Sequence, residues 1–189
     1  MNLIELPFRI LNDLYIPQVL MAFNSILKPN TRPLSARERD LAFSIFGDQV
    51  RYDLVQIDGR AYLGCKHYHF AYVGFNVINC WGALRDPHFI HEMVHVWQFQ
   101  RFGSVYIPRA LKAQHSEAGY NYGGAPAVIK AATQGQSLLD FNYEQQADLV
   151  SDYFCLLNGY HPRWCRLDLG LVPFFERVIA QRLIYQKQY

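Results

Sequence analysis

His91-Glu92-Met93-Val94-His95 lies near the middle of a chain of 189 residues. On a helix, two imidazoles four residues apart share one face, about 6 Å apart along the axis. Both can then meet one ion at about 2.0–2.1 Å, the usual zinc–nitrogen distance. Glu92 follows the first histidine and can reach a water at that ion without binding the metal, which is the place of a general base. An HExxH would arise by chance in about one chain in a hundred of this composition. The bland alternative is a pair of structural histidines.

A zinc hydrolase needs a third protein ligand and an open fourth position. The extended HExxHxxGxxH pattern is excluded, because Gln98 and Arg101 stand where its glycine and third histidine would be. A carboxylate from a later helix is the other route. Glu144 fits, in the first turn of a helix that opens at Asn142. Asp148 is one turn further on the same face and is expected to accept the free N–H of His91 or His95, orienting the ring. His115 and Glu117 are rival ligands, and a solvated helix face is the plain alternative for Glu144 and Asp148. Tyr120 and Tyr122 lie between the ligand helices, and either could hydrogen-bond a tetrahedral oxyanion. Tyr122 is taken with Glu92 as the catalytic pair, against a purely structural role. Trp97 reads as core packing, His67 and His69 as structural or surface residues on a strand, and His161 as a candidate for proton transfer.

These side chains need helices and one wall to position them. Asp86-Pro87 predicts a helix entry, with Asp86 as cap and Pro87 in the first turn, running to about Phe102 with Gly103 as its stop. Asn142 with Gln145 forms a capping box for the ligand helix, which should end at Asn158-Gly159. Ser35 with Glu38 forms another, ahead of Leu41, Ala42, Ile45 and Phe46, with Gly47 as stop. Residues 1–28 suggest one or two short helices, and 28–33 a turn or linker. Tyr52–Ile57 reads as a strand turning at Asp58-Gly59 into Ala61–Leu63, and Phe70–Trp81 as one further strand. Residues 104–141 look irregular, broken by Gly119, Gly123, Gly124, Pro126 and Gly135. A last helix is expected from Pro173 to about Lys187. The fold class is α+β, mainly helical, with a small sheet beside the HExxH helix and one domain over 1–189, residues 1–33 being an N-terminal extension.

Composition narrows the function. Hydrophobic residues make up 51% and charged residues 18%, which excludes a disordered tail. The net charge of +2 argues against nucleic-acid binding, which needs a dense basic face. Leu14–Leu27 and His67–Leu84 are uncharged, but too short or too polar for a stable membrane span, and the N-terminus carries no classical signal peptide. Cys65, Cys80, Cys155 and Cys165 contain no CxxC pair, so they read as buried thiols, with disulfides as the alternative.

HExxH with a downstream ExxxD resembles the gluzincin group of zinc metallopeptidases. Arg37–Gly47, Phe89–Gln98 and Asn142–Asp148, with Tyr52 and Val55, resemble the small bacterial metallopeptidases associated with Vgr proteins and Rhs elements. Those are related in motif to peptidase toxin domains of type VI secretion systems. The resemblance covers about residues 34–158. It implies bound zinc and a zincin-like core, but no particular substrate. The motif chemistry, with Glu92 as base, points to hydrolysis of a peptide bond in a protein or a cell-wall peptide. Secretion-apparatus or immunity-protein partners would follow, with a bacterial cytoplasm as origin and a target-cell periplasm as destination. The competing function is a catalytically silent, zinc-stabilised adaptor of a secretion system.

Overall fold

A computed structural model describes residues 5–14, 30–61, 65–68, 70–180 and 183. Within them the helices are α1 (Leu6–Asp13), α2 (Ala36–Phe46), α3 (Cys65–Tyr68), α4 (Asp86–Phe102), α5 (Tyr106–Gln114), α6 (Gly124–Thr133), α7 (Tyr143–Asn158) and α8 (Val172–Ala180). The strands β1 (Thr31–Pro33), β2 (Gln56–Asp58), β3 (Tyr72–Gly74) and β4 (Val77–Asn79) form one mixed sheet in the order β1-β2-β4-β3. The architecture is a helix-rich α+β arrangement with the small sheet beside α4.

Local chemistry starts the helices where it was expected. Ser35 and Asn142 each accept from the backbone of their helices, and Glu38 and Gln145 return the bond, closing both capping boxes. Helix α4 begins one residue earlier than anticipated. Asp86 is already helical and Arg85 occupies the cap position without a side-chain bond. The Asp86 carboxylate instead accepts from Arg37 at 2.6 Å and from Tyr160 at 2.9 Å, tying α4 to α2 and to the chain beyond α7.

The sheet departs further from expectation. Residues 31–33, read as a linker, form an edge strand that pairs antiparallel with β2, and Arg32 is clamped by both carboxylate oxygens of Glu38. Proline is tolerated there because an edge strand need not donate outward. Tyr52–Leu54 is a 3₁₀ turn, with the Tyr52 hydroxyl donating to Gly47 O. Asp58-Gly59 does not turn back into a hairpin: β2 runs parallel to β4, and Arg60 bridges Trp81. Phe70–Trp81 is not one strand but the hairpin β3–β4, turning at Phe75-Asn76 with Phe75 at φ 60°. His67 falls in α3 rather than on a strand. Residues 1–4, 15–29, 62–64, His69, and 181 onward except Leu183, together with the readings placed on them, lie outside the described residues.

The largest correction concerns 104–141, which contains the two helices α5 and α6. Gly123, Gly124, Pro126 and Gly135, which suggested breaks, sit at helix ends, while Gly119 lies in the connection between α5 and α6. Pro108 and Pro126 occupy first turns, where no amide donor is needed, Gly123 caps α6 and Gly135 follows it.

The central contact is α4 against α7, with α5 and α8 packed on α7 and α6 on α8. Ile90, Met93, Val94 and Trp97 of α4 share one hydrophobic core with Leu149, Val150 and Phe154 of α7 and Phe175, Val178 and Ile179 of α8. Helix α4 is buried on every side from Phe89 to Phe99. His91, Glu92, His95 and Gln98 are therefore buried as well, and each needs a partner, because an unpaired buried polar group costs about 1–3 kcal/mol.

Candidate metal centre

The HExxH spacing places His91 and His95 on the face of α4 that meets α7, where the capping box at Asn142 sets Glu144 in the first turn opposite them. His91 Nε2, His95 Nε2 and Glu144 Oε2 lie 3.3, 3.4 and 3.5 Å from one another. A tetrahedral ion with bonds of about 2.0–2.1 Å has ligand–ligand edges of about 3.3–3.4 Å. The donor set therefore matches such an ion in chemistry and in spacing, and this group could hold a metal. Glu144 Oε2 is buried with no hydrogen-bond partner, as a ligand atom would be. Burial alone would raise the Glu144 carboxyl, but the two facing imidazoles outweigh it and hold it at about 2. Burial works against charge on His91 too. The Asp148 and Glu144 carboxylates overcome that and push its pKa up to about 10, so without a cation the cluster keeps a proton that metal binding would release.

Each histidine is oriented from behind through its other ring nitrogen. His91 Nδ1 donates to Asp148 Oδ1 at 2.8 Å, and Asp148 Oδ2 accepts from Arg163 and from the Trp164 indole. His95 Nδ1 meets Gln98 Oε1 at 2.8 Å. The direction of that bond follows from its continuation. Gln98 Nε2 donates to Tyr143 O and Gln146 Oε1, and Gln146 Nε2 donates to Phe141 O. Gln98 Oε1 must then accept, so His95 Nδ1 donates and the ring turns its Nε2 into the triangle.

Glu92 lines the same cavity but stands outside the triangle. Its Oε1 faces His88 Nε2 at 3.2 Å, while Oε2 is buried without a hydrogen-bond partner. Burial would raise this carboxyl, yet His88 and the charges of His91 and His95 bring it below its ordinary value, so it stays ionised. Triangle and Glu92 together line a cavity of about 970 Å³.

The structure thus brings together His91, His95, Glu144, Glu92 and Asp148. It separates Tyr122 from them. That hydroxyl donates to Asp152 at 2.6 Å and its ring packs on Phe175. Tyr120 is the tyrosine that lines the cavity, with its ring 6.0 Å from His91. His115 and Glu117 are exposed and stay out of the cluster, while His161 lies on the cavity wall. Trp97 is core, 1% exposed.

Several contributing residues carried no sequence signal. Gln98 stands in the motif helix, but its bond to His95 depends on α7. Arg163 and Trp164 reach Asp148 because buried Asp152 accepts both of their backbone amides, at 2.6 and 2.9 Å. Gly124, at φ +65°, lets that segment pass: a Cβ there would sit 2.5 Å from Trp164 O. All four cysteines are free thiols, three of them buried.

No protein-family model matches the sequence. Over 143 residues the chain is 32% identical to the type VI secretion system spike protein VgrG2b of Pseudomonas aeruginosa. That alignment covers 68% of this chain but only 13% of the spike protein's length. Among solved structures, the effector domain of Pseudomonas aeruginosa VgrG2b superposes with a TM-score of 0.54 at 26% identity, covering 78% of this chain and 83% of that one. The similarity links the chain to an effector of type VI secretion.

Proposed function

We propose that the chain is a secretion-linked effector that hydrolyses peptide bonds with zinc held by His91, His95 and Glu144, on a zincin-like core. One observation carries this reading: three buried donors at tetrahedral spacing share a cavity with an ionised carboxylate that does not join them. A purely structural site has no need of such a neighbour.

Bound zinc would supply Lewis acidity, lowering the pKa of a water toward about 7 and polarising a substrate carbonyl. Glu92 moves the proton. His88 holds Oε1, which leaves Oε2 to take a proton from the attacking water and deliver it to the departing amine as the C–N bond breaks. Asp148 and Gln98 hold the two rings still. Of the two tyrosines, Tyr120 is the one that lines the cavity and supplies the hydrogen bond to the oxyanion. Burial and the nearby carboxylates raise its phenol to about 12, so it remains a donor for the oxyanion.

Similarity to a spike-protein effector supports delivery by a secretion apparatus into a target cell, with a matching immunity protein in the producer. Among the described residues, no helix is long and apolar enough to cross a membrane. The deciding experiment is Glu92→Gln. The variant should keep its fold and about one zinc per chain, while peptide cleavage and toxicity on periplasmic expression fall by about 10²–10⁴-fold. If both forms hold zinc and behave alike in both assays, the peptidase reading fails and the metal is structural.

A further inference from the structure

The cavity above the donor triangle has two unlike walls. Ser151, His161 and Arg163, from α7 and the segment after it, make one of them polar. The other, from α5 and the approach to β3, presents Phe70, Tyr72, Val73, Ile107, Ala110 and Leu111. Helix α5 explains the second wall. Tyr106, Ala110 and Ala113 are buried, the first two also bordering the cavity, whereas Ile107 and Leu111, one turn apart, line it without being buried. Packing needs only the first face. Leu111 remains 52% exposed and Phe70 44% exposed, both at the rim of the cavity. Phe70 and Tyr72 rest on each other with ring centres 6.0 Å apart. Exposed large apolar side chains gathered at a cavity, rather than scattered singly, mark a place where apolar groups are taken up.

Building on the peptidase reading, we propose that this wall is a subsite for a large apolar side chain, and that the substrate is an extended protein segment rather than a cell-wall peptide. A cavity of about 970 Å³ is at the upper end of the roughly 300–1,000 Å³ of ligand pockets, with room for several residues. A leucine or phenylalanine near the scissile bond would cover Ile107, Leu111 and Phe70 while the main chain crosses the donor triangle. Cell-wall stem peptides consist of alanines, a glutamate and a diamino acid. Such residues would leave the wall uncovered and press charged groups against it, which is costly.

Binding separates this inference from the chemistry. The full chain carrying Glu92→Gln, loaded with zinc, is titrated by fluorescence anisotropy with three labelled peptides: a hexapeptide with a central Phe, the same peptide with Ala there, and a stem peptide of Ala, Glu, diaminopimelate and Ala. The Phe peptide should bind at least about tenfold tighter than either other, the scale expected for burying one large apolar side chain. Leu111→Asp, on an exposed position, should remove that preference while zinc content stays unchanged, and Leu111→Met should keep it. Equal binding of the Phe and Ala peptides, or a stem peptide bound as tightly as the Phe peptide, overturns the proposal. Cleavage by the wild type without the preference removes the subsite and leaves the peptidase reading. The preference without any cleavage does the reverse.

Discussion

The two flanks of the donor triangle are built from different chemistry. Behind His91 stands a carboxylate, Asp148, backed by Arg163 and the Trp164 indole. Behind His95 stands an uncharged amide chain, Gln98 to Gln146, that ends on the backbone carbonyls of Phe141 and Tyr143. Both flanks do the same geometric work, presenting Nε2 to the triangle. Only the first adds charge. Glu92, Glu144, Asp148 and Asp152 are already buried around the site, and burying a further unpaired anion costs several kcal/mol. A neutral chain behind His95 gives the orientation without that cost. The charged flank strengthens its ligand, and the neutral flank holds α4 to α7.

The largest expected effect breaks both flanks together. His91→Ala, His95→Ala or Glu144→Ala removes a ligand, and zinc should fall from about one per chain to near zero after dialysis, read by atomic absorption. Stoichiometric zinc in the His91→Ala, His95→Ala double variant would dismiss the triangle.

Cutting one flank at a time sharpens the contrast. Asp148→Asn should weaken zinc affinity by about 10–100-fold in chelator competition, with a smaller change in thermal stability. Gln98→Leu strands Gln146 Oε1 and the Tyr143 carbonyl, so it should cost about 1–3 kcal/mol of stability and affect zinc less than Asp148→Asn does. The opposite ranking on both measurements would mean that the flanks differ only in appearance.

Arg163→Ala tests the rear of the charged flank. Arg163 is 58% exposed, so solvent screens its pull on Asp148. A few-fold loss of zinc affinity is expected, well below that of Asp148→Asn.

The smallest effect on zinc is expected at Glu38, which belongs to neither flank. Its hydrogen bonds to Arg32 outweigh burial and, with Ser35, hold the carboxyl at about 2, against 4.5 ordinarily. The stabilisation from a lowered carboxyl pKa is complete above the unfolded value and disappears as pH falls from about 4.5 through about 2. Wild type should therefore melt above Glu38→Gln at pH 6, and the gap should close toward pH 2. Zinc affinity of the two should agree at neutral pH.

What the chain announced by itself was local. The HExxH spacing put two imidazoles on one face, and the pairs Ser35/Glu38 and Asn142/Gln145 set two helix starts, because these relations act within four residues. Glycine and proline between 104 and 141 misled because the same residues that break a helix inside it also open and close it, and only packing shows where the ends fall. The Asp148 partner of His91 is 57 residues away in the chain, and the Gln98 side chain points at His95 only because α7 offers Tyr143 O and Gln146 to its other end. Contacts of that kind are created when α4 and α7 bury their shared face and every polar group caught there must find a partner. Glu92 and Glu144 were legible in the motifs, but which glutamine backs His95 and which tyrosine lines the cavity was a tertiary decision.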